Sequence, residues 1–169
     1  SRGLGDVYKR QDEWGLERFL CAHAIMLGLE GVPAFYIHSL LGTRNDLLRL
    51  AHTSHNRSIN RHQWELGALS SALDCNASDH HAVFEALKHL IALRKAQPAF
   101  HPNATQFTLH LGDELFGFWR QSLDRHQSLF CVHNLTHEEQ VLPLSRLNLV
   151  VNHRWRELIS GASVEEGLP

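Results

Sequence analysis

Gly31 to Arg61 reads GVPAFYIHSLLGTRNDLLRLAHTSHNRSINR, and this stretch decides the fold. It opens on a short apolar run, Val32 to Ile37, introduced by Gly31 and Pro33. The run is almost continuously apolar rather than alternating, the pattern of a parallel strand covered on both faces. It leaves at His38 and crosses a long polar segment that ends in a cluster of arginines and asparagines. A buried strand feeding an Arg/Asn-rich loop is where α/β enzymes carry their chemistry.

Upstream, Trp14 to Leu29 has helical spacing, with Leu16, Phe19, Leu20, His23, Ala24 and Leu27 recurring at three and four. Asp12 and Glu13 suit the start of that helix, and Gly28 and Gly31 suit its end. Downstream, Asp46 to Leu50 adds a helical turn and Gln63 to Leu73 a short helix. Cys75 to Asp79 is a polar break with Ser78 or Asp79 as N-cap. His81 to Ala96 carries an apolar stripe of Val83, Phe84, Leu87, Leu90, Ile91 and Leu93, and Pro98 ends it. After Pro102 the character changes. Thr105–Leu111, Leu115–Gln121, Leu129–Leu135, Glu139–Leu144 and Trp155–Ile159 read as short strands separated by turn chemistry, which predicts a small antiparallel sheet or sandwich.

Composition bounds the function. Hydrophobic residues make up 43% and charged residues 20% of 169, enough for a packed core, and the formal net charge of -2 argues against nucleic acid or an anionic membrane as partner. Cys21, Cys75 and Cys131 are odd in number and dispersed, which points to free thiols and a cytoplasmic location. The 14 histidines are densest at His80-His81 and His52…His55, and neither spot has the spacing of a zinc site, so no metal or other cofactor is expected. Asn56, Asn76, Asn103 and Asn134 each open an N-x-S/T triplet, read as chance without a sign of secretion. The opening string SRGLGDVYKRQ resembles adapter-derived sequence found at the ends of assembled reading frames. Residues 1–11 are therefore set aside as non-native, which implies a protein that extends upstream.

Three segments together carry a resemblance: Gly31-Val32-Pro33-Ala34-Phe35-Tyr36, Gly42 through Asn45-Asp46, and Asn56-Arg57-Ser58-Ile59-Asn60-Arg61-His62. They resemble the eighth strand and following loop of the α-amylase superfamily, glycoside hydrolase family thirteen, in its sucrose phosphorylase and glucosylglycerate phosphorylase branch. RFLCAHAIMLGLEG is similar to that family's seventh helix, the stretch ending ALRKAQPAF to its eighth, and LFGFWR, SLFCVHNLT and WRELISG to its C-terminal β domain. The implied architecture is the last helix–strand–helix of a (β/α)8 TIM barrel over 12–101, followed by an antiparallel β domain over 102–169.

The resemblance implies a retaining double displacement on an α-glucoside such as glucosylglycerate or sucrose. Two carboxyl groups about 5–5.5 Å apart form and then break a glucosyl-enzyme, with inorganic phosphate attacking to give glucose 1-phosphate. The family's catalytic carboxylates lie on strands four, five and seven, outside this chain, so no catalytic residue is assigned and the chain alone is expected to be inactive. Arg61 matches the family's loop arginine at the floor of the glucose site. Its planar fork suits paired contacts to a carboxylate and to sugar hydroxyls, and a purely structural ion pair is the other reading. Asn45, Asp46 and Asn60 are expected to shape the same loop. His38, at the strand's end, is either a substrate-site residue or a satisfied core histidine. Arg44 and Arg57 are phosphate-attracting or merely solvated charges. Trp119 and Trp155 stack on sugars or pack a core. Two rival functions remain: an amylosucrase-like hydrolase or transglucosylase, and a non-catalytic carbohydrate-binding β module.

Overall fold

A computed structural model describes residues 14–142, 144–147 and 155–164. The expectations for Asp12, Glu13 and residues 1–11 lie outside the described residues. The described residues divide into two compact units: those up to 26 with 33–91, and 27–32 with those from 92 onward.

The first unit is helical. It holds most of α1 (Gly15–Gly28) and of α5 (Asp79–Ala96), with α2 (Ile37–Leu40), α3 (Leu47–Thr53) and α4 (Leu66–Asp74) between them. Its core is Phe19 from α1 against Val83 and Leu87 from α5, with Leu16, Leu20, Phe35, Leu40 and Leu90 packed around them. These are the stripe positions that the three-and-four spacing marks. His23, on the same face of α1, is 1% exposed. Its Nδ1–H donates to the Phe19 carbonyl one turn back, at 2.8 Å, and its ring stacks on Phe35. Burial lowers its pKa and outweighs the opposing pull of that carbonyl. Ser78 sits just before α5 and accepts from the His80 N–H at 3.1 Å, as an N-cap does. Gly42, at φ +60, turns the chain where a Cβ would meet Val83 at 3.1 Å, so only glycine fits both the conformation and the space.

The expected strand Val32–Ile37 is not one in this structure. Residues 32–36 have no ladder partner among the described residues, and Ile37 opens α2 instead. Nor is the run covered on both faces: Phe35 packs on the core, but Val32 is 82% and Tyr36 50% exposed. Apolar residues favour a buried strand, but a ladder also needs a neighbour to exchange backbone hydrogen bonds.

The second unit is built on a three-stranded antiparallel sheet in the order β1-β2-β3, formed by β1 (Thr105–Leu109), β2 (Leu115–Gln121) and β3 (Ser128–Asn134). The register pairs Phe107 with Trp119 and Trp119 with Phe130, so one face carries a row of aromatic rings that Trp155 continues against Phe130. The Trp119 ring packs in that row, the core-packing alternative. Phe118 and Cys131 pair on the other face, beneath Gly28, where a Cβ would lie 2.6 Å from the Phe118 ring. Burial pushes the Cys131 thiol up to about 12, against the pull of Arg120 and Arg94, so it is an inert buried thiol. Two expectations need correction. Residues 139–142 form no strand, and Leu144 opens a 3-10 turn. Of Trp155–Ile159 only β4 (Trp155–Arg156) pairs, with β5 (Ser163–Val164), because residues 158–160 turn the chain back.

Two arginines close the end of α1. Arg94 donates to the carbonyls of Leu27, Leu29 and Gly31. Arg120, fully buried, donates to Gly28 at 2.9 Å and to His101 at 2.8 Å, with Ala104 at 3.4 Å. The last carbonyls of a helix lack partners and carry the negative end of its dipole, so a guanidinium fork there answers both needs. Among the described residues no carboxylate pairs with either arginine.

Candidate functional site

The residues singled out by the sequence lie in one unit, around the turn from Tyr36 to Asp46 and the loop from Asn56 to Trp64. Asp46 begins α3 as its N-cap. Its Oδ1 accepts from the Arg49 N–H at 2.8 Å, and its Oδ2 accepts from His62 Nδ1–H at 2.8 Å. Both oxygens are thus engaged. Its backbone N–H also donates to the Ile59 carbonyl at 2.7 Å. Asn45 is half-buried beside it. Asn60 is exposed, and its carbonyl accepts from the Tyr36 hydroxyl at 2.7 Å.

Arg61 follows a 3-10 turn over Asn56–Asn60 and its N–H bonds back to Ser58. The residue is exposed, and its guanidinium has no hydrogen-bond or ion-pair partner among the described residues. His38 lies in α2 rather than at a strand end, and is half-buried. The Trp64 indole, which can only donate, bonds Thr43 Oγ1 at 2.9 Å. That leaves the Thr43 hydroxyl proton for His38 Nδ1, 3.3 Å away. Burial lowers the His38 pKa, and the nearby His62 adds to the effect. Trp64 stands edge-on between His62 and His80, with centroids 4.9 and 5.0 Å away. His80 donates from Nδ1 to the Leu41 carbonyl at 2.8 Å.

Sequence reasoning thus named Asn45, Asp46, Asn60, Arg61 and His38 but passed over Tyr36, Thr43, His62 and Trp64, which tie them together. The available signal was the pairing of hydroxyl and imidazole donors with a lone carboxylate across the two segments. Arg44 is not a free charge, because it pairs with Asp79 at 2.7 Å. Arg57 stands exposed on the 3-10 turn. Among the described residues no group of three His, Cys, Asp or Glu side chains is placed to hold a metal ion. Among them, too, no helix is long and apolar enough to cross a membrane.

The Asp46 carboxyl is held below the usual carboxylate range, first by the Arg49 N–H and then by His62. A group with a depressed folded pKa contributes stability that is complete above its unfolded value, about 3.9. That contribution is lost as pH falls through the lower folded value. We expect the Asp46 side-chain carbonyl carbon to titrate by NMR with a midpoint below about 3.9. A midpoint at or above that value would remove the two hydrogen bonds from the account.

No protein-family model matches the chain. It is similar to glucosylglycerate phosphorylase of Escherichia coli K12, 42% identical over 98 residues that cover 58% of this chain and 17% of that protein. It is also similar to glucosylglycerate phosphorylase of Spirochaeta thermophila, 34% identical over 147 residues, 85% of this chain and 25% of that protein. Sucrose phosphorylase of Agrobacterium vitis is 35% identical over 83 residues, 49% of this chain and 16% of that protein. The chain spans a quarter or less of the curated relatives it matches. Within that span, the similarity to glucosylglycerate and sucrose phosphorylases supports the phosphorylase branch that the sequence resembles.

Proposed function

We propose that these residues form the closing part of a glycoside phosphorylase: the end of its (β/α)8 barrel over 12–101 and its C-terminal β domain over 102–169. The parent enzyme is a cytoplasmic glucosyltransferase that cleaves glucosylglycerate, or a related α-glucoside, with inorganic phosphate to give glucose 1-phosphate. The observation that carries this reading is the similarity to glucosylglycerate phosphorylases, which extends over 85% of the chain in one of them. Two features of the structure support it. Among the described residues the Arg61 guanidinium has no hydrogen-bond or ion-pair partner, while Asn60 and His62 on either side of it are bonded to the Tyr36–Asp46 turn. Tyr36, Ile37, Leu47, Leu48 and Leu66 are exposed here, from 50% to 78%, which suits surfaces that adjoining barrel elements would cover.

The chemistry divides accordingly. Carboxylates elsewhere in the enzyme form and break the glucosyl-enzyme, and Arg61 binds sugar hydroxyls on the floor of the pocket with Asn45, Asn60 and His38 beside it. A charged, paired contact of this kind orients the ring for in-line attack at its anomeric carbon.

The test is turnover of glucosylglycerate by the full-length enzyme with and without phosphate, followed by phosphorus NMR. Glucose 1-phosphate should form only with phosphate, and the 169-residue chain alone should turn over nothing. Equal cleavage without phosphate would assign the enzyme to the hydrolases or transglucosylases of the superfamily instead.

A further inference from the structure

The loop that carries Arg61 is fastened on both sides of that residue, and each fastening comes from the Tyr36–Asp46 turn. The Ile59 carbonyl takes the Asp46 N–H at 2.7 Å. The Asn60 carbonyl takes the Tyr36 hydroxyl at 2.7 Å. His62 donates from Nδ1 to Asp46 Oδ2 at 2.8 Å. Trp64 donates to Thr43 at 2.9 Å, with its ring held edge-on between His62 and His80. Within residues 59–62, Arg61 is the one whose fastening is only local, its N–H to Ser58.

We propose that Tyr36, Asp46 and His62 are positioning residues that fix the backbone on either side of Arg61 and so set where its guanidinium stands. The proposal rests on the phosphorylase reading and adds residues to it. It also gives Asp46 a part that needs no contact with sugar, since each of its oxygens accepts a hydrogen bond that holds the loop. A backbone free to shift by an ångström would spread the guanidinium over many positions, and a misplacement of that size costs an enzyme dearly. The geometry at His62 is specific about atoms. The donor is Nδ1, the ring nitrogen nearest the backbone, and the amide nitrogen of asparagine reaches about the same place. Glutamine carries its amide one methylene further out and alanine has none.

In the full-length enzyme, His62→Ala and Tyr36→Phe should each raise KM for the glucoside on the order of tenfold. KM for phosphate should stay within about twofold, the scale of effects away from the altered contact. His62→Asn should recover most of the loss and His62→Gln should not. In an enzyme already carrying Arg61→Ala, His62→Ala should change KM no further, since it acts through the side chain that is gone. A merely structural residue would lower the active fraction and leave KM unmoved, whatever stood at position 61. An unchanged glucoside KM in His62→Ala and Tyr36→Phe, or a full additional loss on top of Arg61→Ala, would overturn the proposal. A wild-type enzyme that cleaves no glucoside with phosphate would instead refute the phosphorylase reading, so the two failures are separate results.

Discussion

In the full-length enzyme, replacing Arg61 with lysine is expected to lower kcat/KM for phosphorolysis roughly a hundredfold while leaving the fold intact. A lysine keeps the positive charge but loses the planar fork, so two parallel hydrogen bonds become one adaptable contact. Losing a charged hydrogen bond to bound sugar costs about 1.5–3 kcal/mol, and about 2.7 kcal/mol corresponds to a hundredfold in rate. Stability should change by no more than about 0.5 kcal/mol, because exposed residues without fixed partners contribute little. The guanidinium meets that description: Arg61 is exposed and unpaired among the described residues. Steady-state kinetics beside a thermal melt separates the two effects. Equal losses in rate and stability would mean that the side chain is a structural tie to some other part of the enzyme.

Replacing Arg120 with methionine is expected to have the largest effect on stability, about 3–5 kcal/mol. Methionine fills much of the space, so the loss is polar rather than a cavity. The carbonyls of Gly28 and His101 would lose donors at 2.9 and 2.8 Å, and Ala104 a longer one at 3.4 Å. Arg120 itself is 0% exposed, and its bonds to Gly28 and Ala104 are buried, while the one to His101 is partly so. Burial lowers the Arg120 pKa, and the guanidinium nonetheless stays charged at any working pH. Urea unfolding followed by tryptophan fluorescence measures the change. A methionine variant within about 0.5 kcal/mol of the parent would show that these carbonyls find other donors.

The contrast between the two arginines says what a sequence can and cannot disclose. Arg61 is singled out by the resemblance of its loop to the family's loop arginine rather than by any local pattern, and the structure leaves it exposed without a partner among the described residues. Arg120 is the next-to-last residue of LFGFWRQ, where alternation alone cannot say whether an arginine faces solvent or a buried helix end. Its partners are backbone carbonyls up to 92 residues away, and backbone atoms leave no mark in a sequence. The same reason hid Tyr36, whose partner is the Asn60 carbonyl, whereas His62 pairs with the Asp46 carboxylate sixteen residues away, beyond the reach of any local spacing.

Elements with a strong local pattern were readable almost to the residue. The apolar stripe and flanking Pro98 delimit α5, and β2 runs over the residues expected of it. Val32–Ile37 was not readable in the same way. Its composition is that of a buried strand, yet strand identity is settled by a neighbour, and the described residues offer none. Glu139–Leu144 failed for a related reason. Half of its residues are apolar, yet Val141 is 85% exposed, so that side chain is not drawn into the sheet.

The most direct measurement is a crystal structure of the full-length enzyme with its glucoside, at a resolution that shows the Arg61 side chain. The guanidinium should lie within about 3 Å of sugar hydroxyls, with the Tyr36–Asn60 and Asp46–His62 hydrogen bonds intact beneath it. A sugar bound elsewhere, with Arg61 extended into bulk water, would contradict the account.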